Sequence, residues 1–465
     1  MPNVRVLIWF DVEDFITPES DDALKGIIDA LDFHKVKGTF KLVGEKLRVL
    51  KSRGREDIIE ALRNHEVGYH TNYHSIHPTP ADYLEGLSWE DGIREFVRRE
   101  QSGFELVADT FGYTPSCYGQ PGSSWAPQVY GALRDWQIPV YLDETNQIGL
   151  DEKPFWYCGI FNVLRLRSNT TRFDPQLGRD GLVQGLAKFD SLYERLRQAG
   201  GGLISIWYHP CEYSTYEFWD AVNFSNGNTP SSDEWITPKI KTKEQMQLEL
   251  QCFRDYVGHI VSQPGVETLT ASEAYNLYPD KSKDRMFTLE EIRGLVHSLQ
   301  RGVTFAKLND VVLSPAEIFY LAATTLGNAT QKKGTFPTFV GLLGPTRRTS
   351  SNVYQCSLKS LKEACSWAKQ FMDTTGRVPD AIPLPGGSVS PIDFFETTNH
   401  LLRSSDDITK IKDSGPIDIR DGKLLLEEQA SDENAWGWII FPKGFSAPNI
   451  MELAKLQTWS LKPAI

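Results

Sequence analysis

The sequence predicts an α/β protein, in which a parallel (β/α) barrel-like domain is followed by a second, smaller α+β domain. Short runs of β-forming apolar residues alternate with helical segments about seven times between residues 4 and 270, as in parallel βα units. A polar, charged linker with a proline follows at 279–285, which places the domains at 1–280 and 286–465. Beyond the linker the pattern changes and a weak internal repeat appears.

The bulk composition narrows the function classes. The chain has 465 residues, of which 40% are hydrophobic, enough for two cores. A formal net charge of -12 argues against nucleic acid as a partner, because binding to a polyanion needs a basic face. Six cysteines are scattered without a Cys-x-x-Cys pair, which predicts reduced thiols in the cytoplasm and no thiolate zinc site.

The sequence carries no signal for a membrane. No apolar run reaches the roughly 18 residues that a membrane-spanning helix needs. Asp11 interrupts the apolar N-terminus too early for a signal peptide. We therefore expect a cytoplasmic protein without a membrane span.

The elements of the first domain follow from the alternation of apolar runs and helical periodicity. The first strand, at 4–12, is a nearly continuous apolar run, as expected for a strand that is buried on both faces of a parallel sheet. Further strands are expected at 37–43, 67–69, 116–118, 139–143, 161–167, 203–208 and 266–270. Helices are expected at 21–33, 44–52, 55–64, 88–112, 126–136, 179–199 and 243–261.

Polar residues follow several strands where those strands end, which in a parallel barrel is the edge that carries the chemistry. His70 and His74 follow the third strand and have the four-residue spacing of a metal-ligand pair. Three carboxylates follow the first strand, where crowded like charges need a cation or donors; capping of the next helix is the competing explanation for Asp14. The same rule brings these residues to one rim: Asp11, Glu13, Asp14, His70, His74, Gln120, Pro121, Asp143, Glu144, His209 and Pro210.

Three of these motifs, in this order, resemble those of the polysaccharide deacetylases, carbohydrate esterase family 4. They are Asp11-Val-Glu-Asp-Phe15, His70-Thr-x-x-His74 and Leu203-Ile-Ser-Ile-Trp-Tyr-His-Pro210. The resemblance covers about residues 4–278, and the first motif is closest to the branch with allantoinase-like members. It implies a distorted (β/α) barrel of the polysaccharide deacetylase type. It also implies a metal-dependent hydrolysis of an amide, most often removal of an acetyl group from an N-acetylated sugar.

The resemblance further implies a metal centre. His70, His74 and one carboxylate would hold a divalent ion, usually zinc, with open positions for water and for the substrate carbonyl oxygen. The carboxylate ligand stays open between Glu13 and Asp14. Alternation along a strand slightly favours Glu13, whereas a turn at Val12 would bring Asp14 to the metal instead.

By the same resemblance, Asp11 would be the general base and His209 the general acid. One departure puts turnover in doubt: Gln120 stands where the family usually carries an arginine that neutralises and orients the catalytic acid. A catalytically silent carbohydrate-binding protein that retains the metal site is therefore an alternative to the deacetylase. An allantoinase-like hydrolase of a cyclic amide is another.

The expected ligand is a carbohydrate or another N-acylated small molecule. The residues expected to contact it are Tyr118, Gln120, Trp219 and Trp235. The last two lie in a long insertion after His209, which is typical of a lid or a substrate wall. Its aromatic rings could stack on a sugar or could instead pin the loop to the barrel.

The second domain contains a degenerate internal repeat. Residues 313–326 resemble 389–402, at an offset of 76, and each copy is expected to be a helix, a short extended segment and a helix. The second copy, at 361–394, also resembles the pseudomurein-binding repeat, which implies a cell-wall polymer as a partner and an association with the cell wall. No catalytic constellation is expected within 286–465.

Local signals in this domain predict particular features. Capping boxes at Thr288 and Ser314 predict the starts of two helices, the second with a proline at its first position. Asp421-Gly422 between two β-forming runs predicts a hairpin turn.

Overall fold

The computed structural model describes residues 3–150, 152–164, 166–299, 301–327, 335–404 and 415–465. The N-terminal part is a regular alternation of strands and helices. Its strands are β1 Val4–Val12, β2 Thr39–Leu42, β3 Glu66–Tyr69, β4 Cys117–Tyr118, β5 Val140–Leu142, β6 Phe155–Tyr157, β7 Ile160–Val163, β8 Gly202–Tyr208 and β9 Val266–Leu269. Its helices are α1 Glu19–Phe33, α2 Gly44–Ser52, α3 Glu56–Leu62, α4 Pro80–Leu84, α5 Trp89–Phe111, α6 Gln128–Asp135, α7 Gly178–Gln198, α8 Cys211–Ser214, α9 Trp219–Asn223, α10 Lys243–Ser262 and α11 Ala271–Leu277.

The strands form one curled, mostly parallel sheet. The order runs β6-β7-β5-β4-β3-β2-β1-β8, and β9 pairs with the first half of β1. The two ends of the curl approach each other at Thr170, which forms an isolated parallel bridge with Ser205 of β8. The fold is therefore the α/β distorted barrel that the sequence predicts, and the carboxyl ends of its parallel strands face one rim.

The predicted elements of this barrel are close to the observed ones. The strand at 4–12 and the helix at 44–52 have the observed bounds, and the other predicted elements lie at their expected places in the chain. One strand was missed: β6, which pairs antiparallel with β7 through a tight turn at Cys158-Gly159. Its run Phe155-Trp-Tyr157 is too short to show a periodicity.

The barrel is stabilised by apolar side chains between the sheet and its helices. Side chains of β1 such as Val6, Ile8 and Phe10 are buried in this core together with Ile27 and Leu31 of α1. At roughly 1.5–3 kcal/mol for each fully buried large apolar side chain, this burial is the main term that holds the strands in register. The register then decides which polar side chains meet at the rim.

The C-terminal part consists of smaller elements around a second core cluster. They are β10 Met286–Thr288, α12 Leu289–Ser298, β11 Ala306–Leu308, β12 Val311–Leu313, α13 Pro315–Gly327, β13 Thr335–Pro337, β14 Gln355–Cys356, α14 Leu358–Thr375, β15 Ile382–Leu384, β16 Gly387–Val389, α15 Pro391–Ser404, β17 Ile417–Asp418, α16 Pro448–Gln457 and β18 Lys462–Pro463. The repeat is visible here, because β11, β12 and the start of α13 recur as β15, β16 and the start of α15 at the offset of 76. Between its two helices each copy has a β-hairpin, which is more than the short extended segment that the sequence predicted.

The local signals of this part had different outcomes. Both predicted capping boxes form: Thr288 caps α12 with Glu291, and Ser314 caps α13 with Glu317. The hairpin predicted at Asp421-Gly422 was wrong. β17 pairs with β14 instead, and the residues after the turn bond to Val303.

The end of the chain returns to the barrel. β18 pairs antiparallel with β6 and thereby extends the barrel sheet. Ile450, Met451 and Ala454 of α16 are buried in the barrel core. The domain division at 280–286 stays a prediction from the sequence. Among the described residues, we find no helix with the length and apolar character that a membrane span requires.

Candidate active site

The polar residues at the rim come from strand ends that the sheet register places side by side. Asp11 is the second-last residue of β1, and Glu13 directly follows that strand. His70 directly follows β3. The histidine motif is a loop and not a helix, since Thr71 and His74 have positive φ angles of 66° and 50°. Such left-handed residues are costly and cluster at functional sites. The loop turns His74 back toward the carboxylate of Glu13.

Glu13, His70 and His74 form a compact buried triad. Glu13 Oε2 lies 3.4 Å from His70 Nε2 and 2.7 Å from His74 Nε2. His70 Nδ1 lies 3.0 Å from the carbonyl of Gly119 and can only donate there, which leaves the Nε2 lone pair free. His74 Nδ1 similarly faces Ser75 Oγ, which itself donates to Asp220. Three lone-pair donors thus converge within 4.8 Å of one another.

This donor set fits a divalent metal ion. Neither Nε2 atom has a hydrogen-bond partner among the described residues, and an ionised carboxylate cannot provide one. Two imidazoles and one carboxylate are a common set for zinc, and hydrogen bonds from the outer ring nitrogens are the usual support for such ligands. Glu13 is supported as well, because Trp219 Nε1 donates to its other oxygen at 3.0 Å.

Asp14, the alternative carboxylate, has a different environment. Its Oδ1 accepts hydrogen bonds from the backbone N–H groups of Ile16 and Thr17, both at 3.0 Å. It therefore stabilises the turn that leads into α1, and the cluster of close ligand atoms contains Glu13 and not Asp14.

Lys41 is the residue that the sequence analysis missed. It lies opposite Asp11 in the β1–β2 register and is fully buried. Its Nζ is 2.8 Å from Asp11 Oδ1, 2.7 Å from Asp143 Oδ2 and 4.3 Å from the centre of the Trp9 ring. A Cβ atom at Gly119 would clash with this ammonium, so the glycine makes room for it.

The ammonium of Lys41 contacts both carboxylates, but their pKa values shift in opposite directions. Burial opposes ionisation of Asp11, but Lys41, His70 and His209 outweigh it and lower the pKa of Asp11. Burial raises the pKa of Asp143 to about 8, although Lys41 works against that shift. Asp11 therefore holds the anionic charge at neutral pH. Its cation comes from β2 and not from position 120.

His209 faces Asp11 from the end of β8. Its Nε2 lies 3.7 Å from Asp11 Oδ2, and its Nδ1 lies 2.6 Å from Glu212 Oε1. Arg172 holds Glu212 in turn through a two-pronged ion pair. Burial disfavours the imidazolium, but Glu13, Glu212 and Asp11 prevail and raise the pKa of His209 to about 9. A protonated His209 is suited to donate a proton.

These groups line one cavity of about 340 Å³. Its floor is polar and includes Asp11 and the triad. Its walls are aromatic and come from three parts of the chain, namely Trp9, Trp207 with Phe218, and Trp438. Mostly apolar walls with a few convergent polar groups are the usual make-up of a small-molecule site.

Of the four residues expected to contact the substrate, one lines this cavity. Gln120 does, and its Nε2 donates to the carbonyls of Gly122 and Glu144, so it does not bond to Asp11. The expectation for Tyr118 was wrong: its side chain is fully buried among Tyr69, Phe96 and Tyr141. Because β4 has only two residues, the sequence could not show which side faces the core.

The two tryptophans of the insertion are also outside the cavity lining. Trp219 is fully buried against Phe15 and supports Glu13. Trp235 packs on Phe15 and Phe224 and donates to the carbonyl of Pro230. Both rings therefore pin the insertion to the barrel, which was the alternative that the sequence left open. The expected stacking role was wrong for Trp219, which has no exposed surface, and stays a prediction for Trp235.

Asp220 and Trp438 are among the cavity residues that were not predicted from the sequence. Asp220 accepts hydrogen bonds from Ser75 and from Trp438, and burial raises its pKa to about 6. Trp438 comes from the C-terminal part, more than 200 residues from Asp220, and nothing in the local pattern indicates that approach. For Lys41 a signal existed: a lysine in the middle of an apolar strand needs a partner once it is buried.

Comparisons with known proteins gave matches among solved structures. No model of a protein family matches the chain, and no curated protein matches it either. Solved structures similar to 59% of this chain include a Mycobacterium smegmatis protein named as a polysaccharide deacetylase, at 15% identity, 89% of that chain and a TM-score of 0.39. Another is the Xyl-CE4 domain of a multidomain xylanase from the hindgut metagenome of Trinervitermes trinervoides, at 12% identity, 91% of that chain and a TM-score of 0.31. A CE4 family pseudoenzyme from Bacillus anthracis matches 58% of this chain and 65% of its own, at 17% identity and a TM-score of 0.29.

Proposed function

We propose that this chain is a metal-dependent hydrolase of an amide bond that removes the acetyl group from an N-acetylated sugar. The observation that supports this most is the convergence on one cavity of a metal-type triad, the carboxylate of Asp11 and the imidazole of His209. Hydrolysis of an unactivated amide needs these three components, because the carbonyl must be polarised, water activated and the amine protonated as it leaves.

Glu13, His70 and His74 would hold the ion, and zinc suits this donor set. When bound, the ion polarises the amide carbonyl and lowers the pKa of a bound water molecule. The hydrogen bonds from Trp219 to Glu13 and from His70 to Gly119 fix the orientation of two ligands before metal arrives.

In this proposal Asp11 acts as the general base. It takes a proton from water as the water oxygen forms a bond to the acetyl carbon. Lys41, at 2.8 Å, keeps the carboxylate ionised and fixed in orientation. The charge that Gln120 lacks is thereby present, which weakens the alternative of a catalytically silent carbohydrate-binding protein.

In this proposal His209 acts as the general acid. As the carbon–nitrogen bond breaks, it gives its proton to the departing nitrogen, so that water and an N-acetylated sugar become acetate and an amino sugar. Glu212, held by Arg172, bonds to His209 Nδ1 and thereby orients the imidazole toward the cavity. An allantoinase-like reaction on a cyclic amide would use the same groups, so substrate tests must include both classes.

The test combines metal content with turnover. We expect one zinc per chain and release of acetate from N-acetylglucosamine or its oligomers. His70→Ala should lose both zinc and turnover. Asp11→Asn should keep zinc and lose at least about 100-fold in kcat, the low end of general acid–base effects. His297→Ala, which removes an exposed histidine of α12, is the matched control.

Two outcomes would contradict the proposal. Stoichiometric zinc without turnover of any N-acyl or cyclic-amide substrate would indicate a silent binding protein. A protein that takes up no divalent metal would remove the basis of the site itself.

The remaining expectations from the sequence stay proposals. A cytoplasmic location rests on six cysteines, all of them free and buried. Binding of a cell-wall polymer by the C-terminal part rests on the repeat and its resemblance.

A further inference from the structure

A segment from the C-terminal part lies along the mouth of the cavity. This rim segment, residues 431–441, bonds to three loops of the barrel. Gln147 Nε2 donates to the carbonyl of Ala435 at 3.0 Å. The backbone N–H groups of 226 and 227 donate to the carbonyls of 439 and 440 at 3.0 and 2.7 Å. His77 Nε2 also bonds to the carbonyl of 440, at 3.0 Å. The segment is therefore a fixed part of the rim.

Trp438 is the side chain that this segment contributes to the cavity. Its Nε1 donates to Asp220 Oδ2 at 3.0 Å, and its ring meets His74 edge to face with the centroids 5.4 Å apart. The indole also covers Gly122, where a Cβ atom would clash with it. Three independent contacts thus hold the ring in one orientation, directly beside a residue of the metal-type triad.

Other aromatic rings line the same cavity. Trp207 and Phe218 are among them, and His209 meets the Phe218 ring edge to face at 4.9 Å. The volume of about 340 Å³ lies at the low end of the range of about 300–1,000 Å³ for small-molecule sites. Asp11, Glu13, His70 and His74, which would act on the amide, are each at most 4% exposed. A substrate must therefore reach buried groups through a small cavity lined by aromatic rings.

We propose that the rim segment is part of the substrate-binding site and that Trp438 restricts the substrate to a single N-acylated sugar residue, either free or at the end of a chain. An interior residue of a polysaccharide needs space for a neighbour on both sides, and Trp438 occupies one of them. This inference rests on the proposed function and names the size of its substrate.

The experiment compares the zinc-loaded protein on N-acetylglucosamine and on its tetramer, with mass spectrometry to locate each deacetylated residue. We expect terminal or free residues to exceed interior ones at least 10-fold in kcat/KM. Trp438→Ala should open that side and reduce the ratio several-fold. Trp438→Phe keeps a ring and loses the bond to Asp220, so it should largely retain the ratio. Trp367→Ala, which removes an exposed tryptophan of α14, should leave it unchanged.

Thermal unfolding of each variant shows whether it folds. Interior residues that react as fast as terminal ones in the unaltered protein would overturn the inference and leave the deacetylase function intact. An unchanged ratio in a folded Trp438→Ala protein would overturn it as well, and so would equal losses in the alanine and phenylalanine variants.

Binding separates this inference from the proposed function. Calorimetry of zinc-loaded Asp11→Asn with the same two sugars needs no turnover. Because only a terminal residue of the tetramer can enter the cavity, the tetramer should bind no more tightly than the monosaccharide, and Asp11→Asn combined with Trp438→Ala should bind the tetramer more tightly than Asp11→Asn does. This result supports the inference even where the unaltered protein is inactive. A tetramer that binds Asp11→Asn several-fold more tightly than the monosaccharide does, or binding of neither sugar, overturns it.

Discussion

At the scale of single residues, Lys41 decides how the site is charged. One ammonium with no exposed surface compensates Asp11 and Asp143, and its own pKa is raised: burial opposes the charge, but the two carboxylates outweigh that effect. From the sequence, this cation was expected at position 120, which is the usual place of the arginine. Geometry can supply the same charge from a neighbouring strand.

Lys41→Met should therefore impair catalysis more than metal binding. Without the ammonium, a proton must be shared between two buried carboxylates, and the base is lost in part of the molecules. We expect kcat to fall about 100-fold at pH 7 with one zinc per chain retained, while Lys41→Arg keeps most of the activity. Kinetics over pH 5 to 9 with parallel zinc analysis measure this. An unchanged kcat in the methionine variant would contradict the role.

Glu100 gives a residue-scale prediction for stability. It is buried on α5 and its Oε2 accepts from Tyr69 Oη at 2.7 Å and from the backbone N–H of Asn72 at 2.6 Å, so it anchors the histidine loop. Burial raises its pKa from 4.5 to about 7, although the hydrogen bonds work against the shift. The pKa of Glu100 is therefore higher in the folded protein than in the unfolded chain, so the folded protein holds this proton more tightly. The free energy of unfolding should then fall as pH rises from about 4.5 to 7, by up to about 3 kcal/mol.

Glu100→Gln can keep both hydrogen bonds through its amide oxygen and removes the charge. We expect the variant to gain stability relative to the unaltered protein between pH 5 and pH 8, measured by urea unfolding at each pH. Glu105→Gln removes an exposed carboxylate of the same helix and is the control. A difference between variant and unaltered protein that does not change with pH would rule out the raised pKa.

At the scale of elements, the positions of the barrel strands could be predicted from the sequence. The face of the sheet to which each side chain points could be predicted only in part. The apolar run at 4–12 is long enough to specify a buried strand. Alternation along it favoured Glu13 over Asp14 as the ligand, and the carboxylate of Glu13 lies 2.7 Å from His74 Nε2. Tyr118, on a two-residue strand, gave no alternation to read. Asp421-Gly422 has the residues of a hairpin turn, but β14 offers β17 a partner more than 60 residues away, and tertiary pairing overrides the local signal.

The insertion after β8 is a supporting element in this structure, and its helix α9 carries Trp219. Trp219→Phe should keep the packing on Phe15 and remove the hydrogen bond to Glu13. Loss of such an outer hydrogen bond typically weakens metal binding about 10- to 100-fold, and we expect about 10-fold here. Competition with a chelator of known zinc affinity measures it. Trp235→Phe removes only a bond to a loop carbonyl and should leave the zinc affinity unchanged; equal losses in both variants would point to general loosening of the insertion.

At the scale of the whole molecule, the linker at 279–285 illustrates what a sequence pattern cannot show. Its charges predict exposure, yet Ser282 is fully buried and Asp280 pairs with Lys462 of β18, 182 residues later. The same ammonium lies 2.8 Å from Glu317 of the first repeat copy. One side chain thus connects the barrel edge, the linker and the repeat, through partners too distant in sequence to be recognised.

Lys462→Met should destabilise both parts of the chain together. Removal of the ammonium leaves Glu317 and Asp280 as uncompensated carboxylates, and Glu317 is only 1% exposed. Breaking a buried ion pair in this way typically lowers the free energy of unfolding by about 3–5 kcal/mol. Because β18 extends the barrel sheet and α16 packs into the barrel core, we expect a single cooperative unfolding transition that shifts to lower urea concentration in the variant. Tryptophan fluorescence and circular dichroism measure this transition. Lys443→Met, at an exposed position of the same C-terminal part, is the matched control. Two separate transitions, of which only the weaker one moves, would show instead that the two parts unfold independently, as the two-domain prediction from the linker implies.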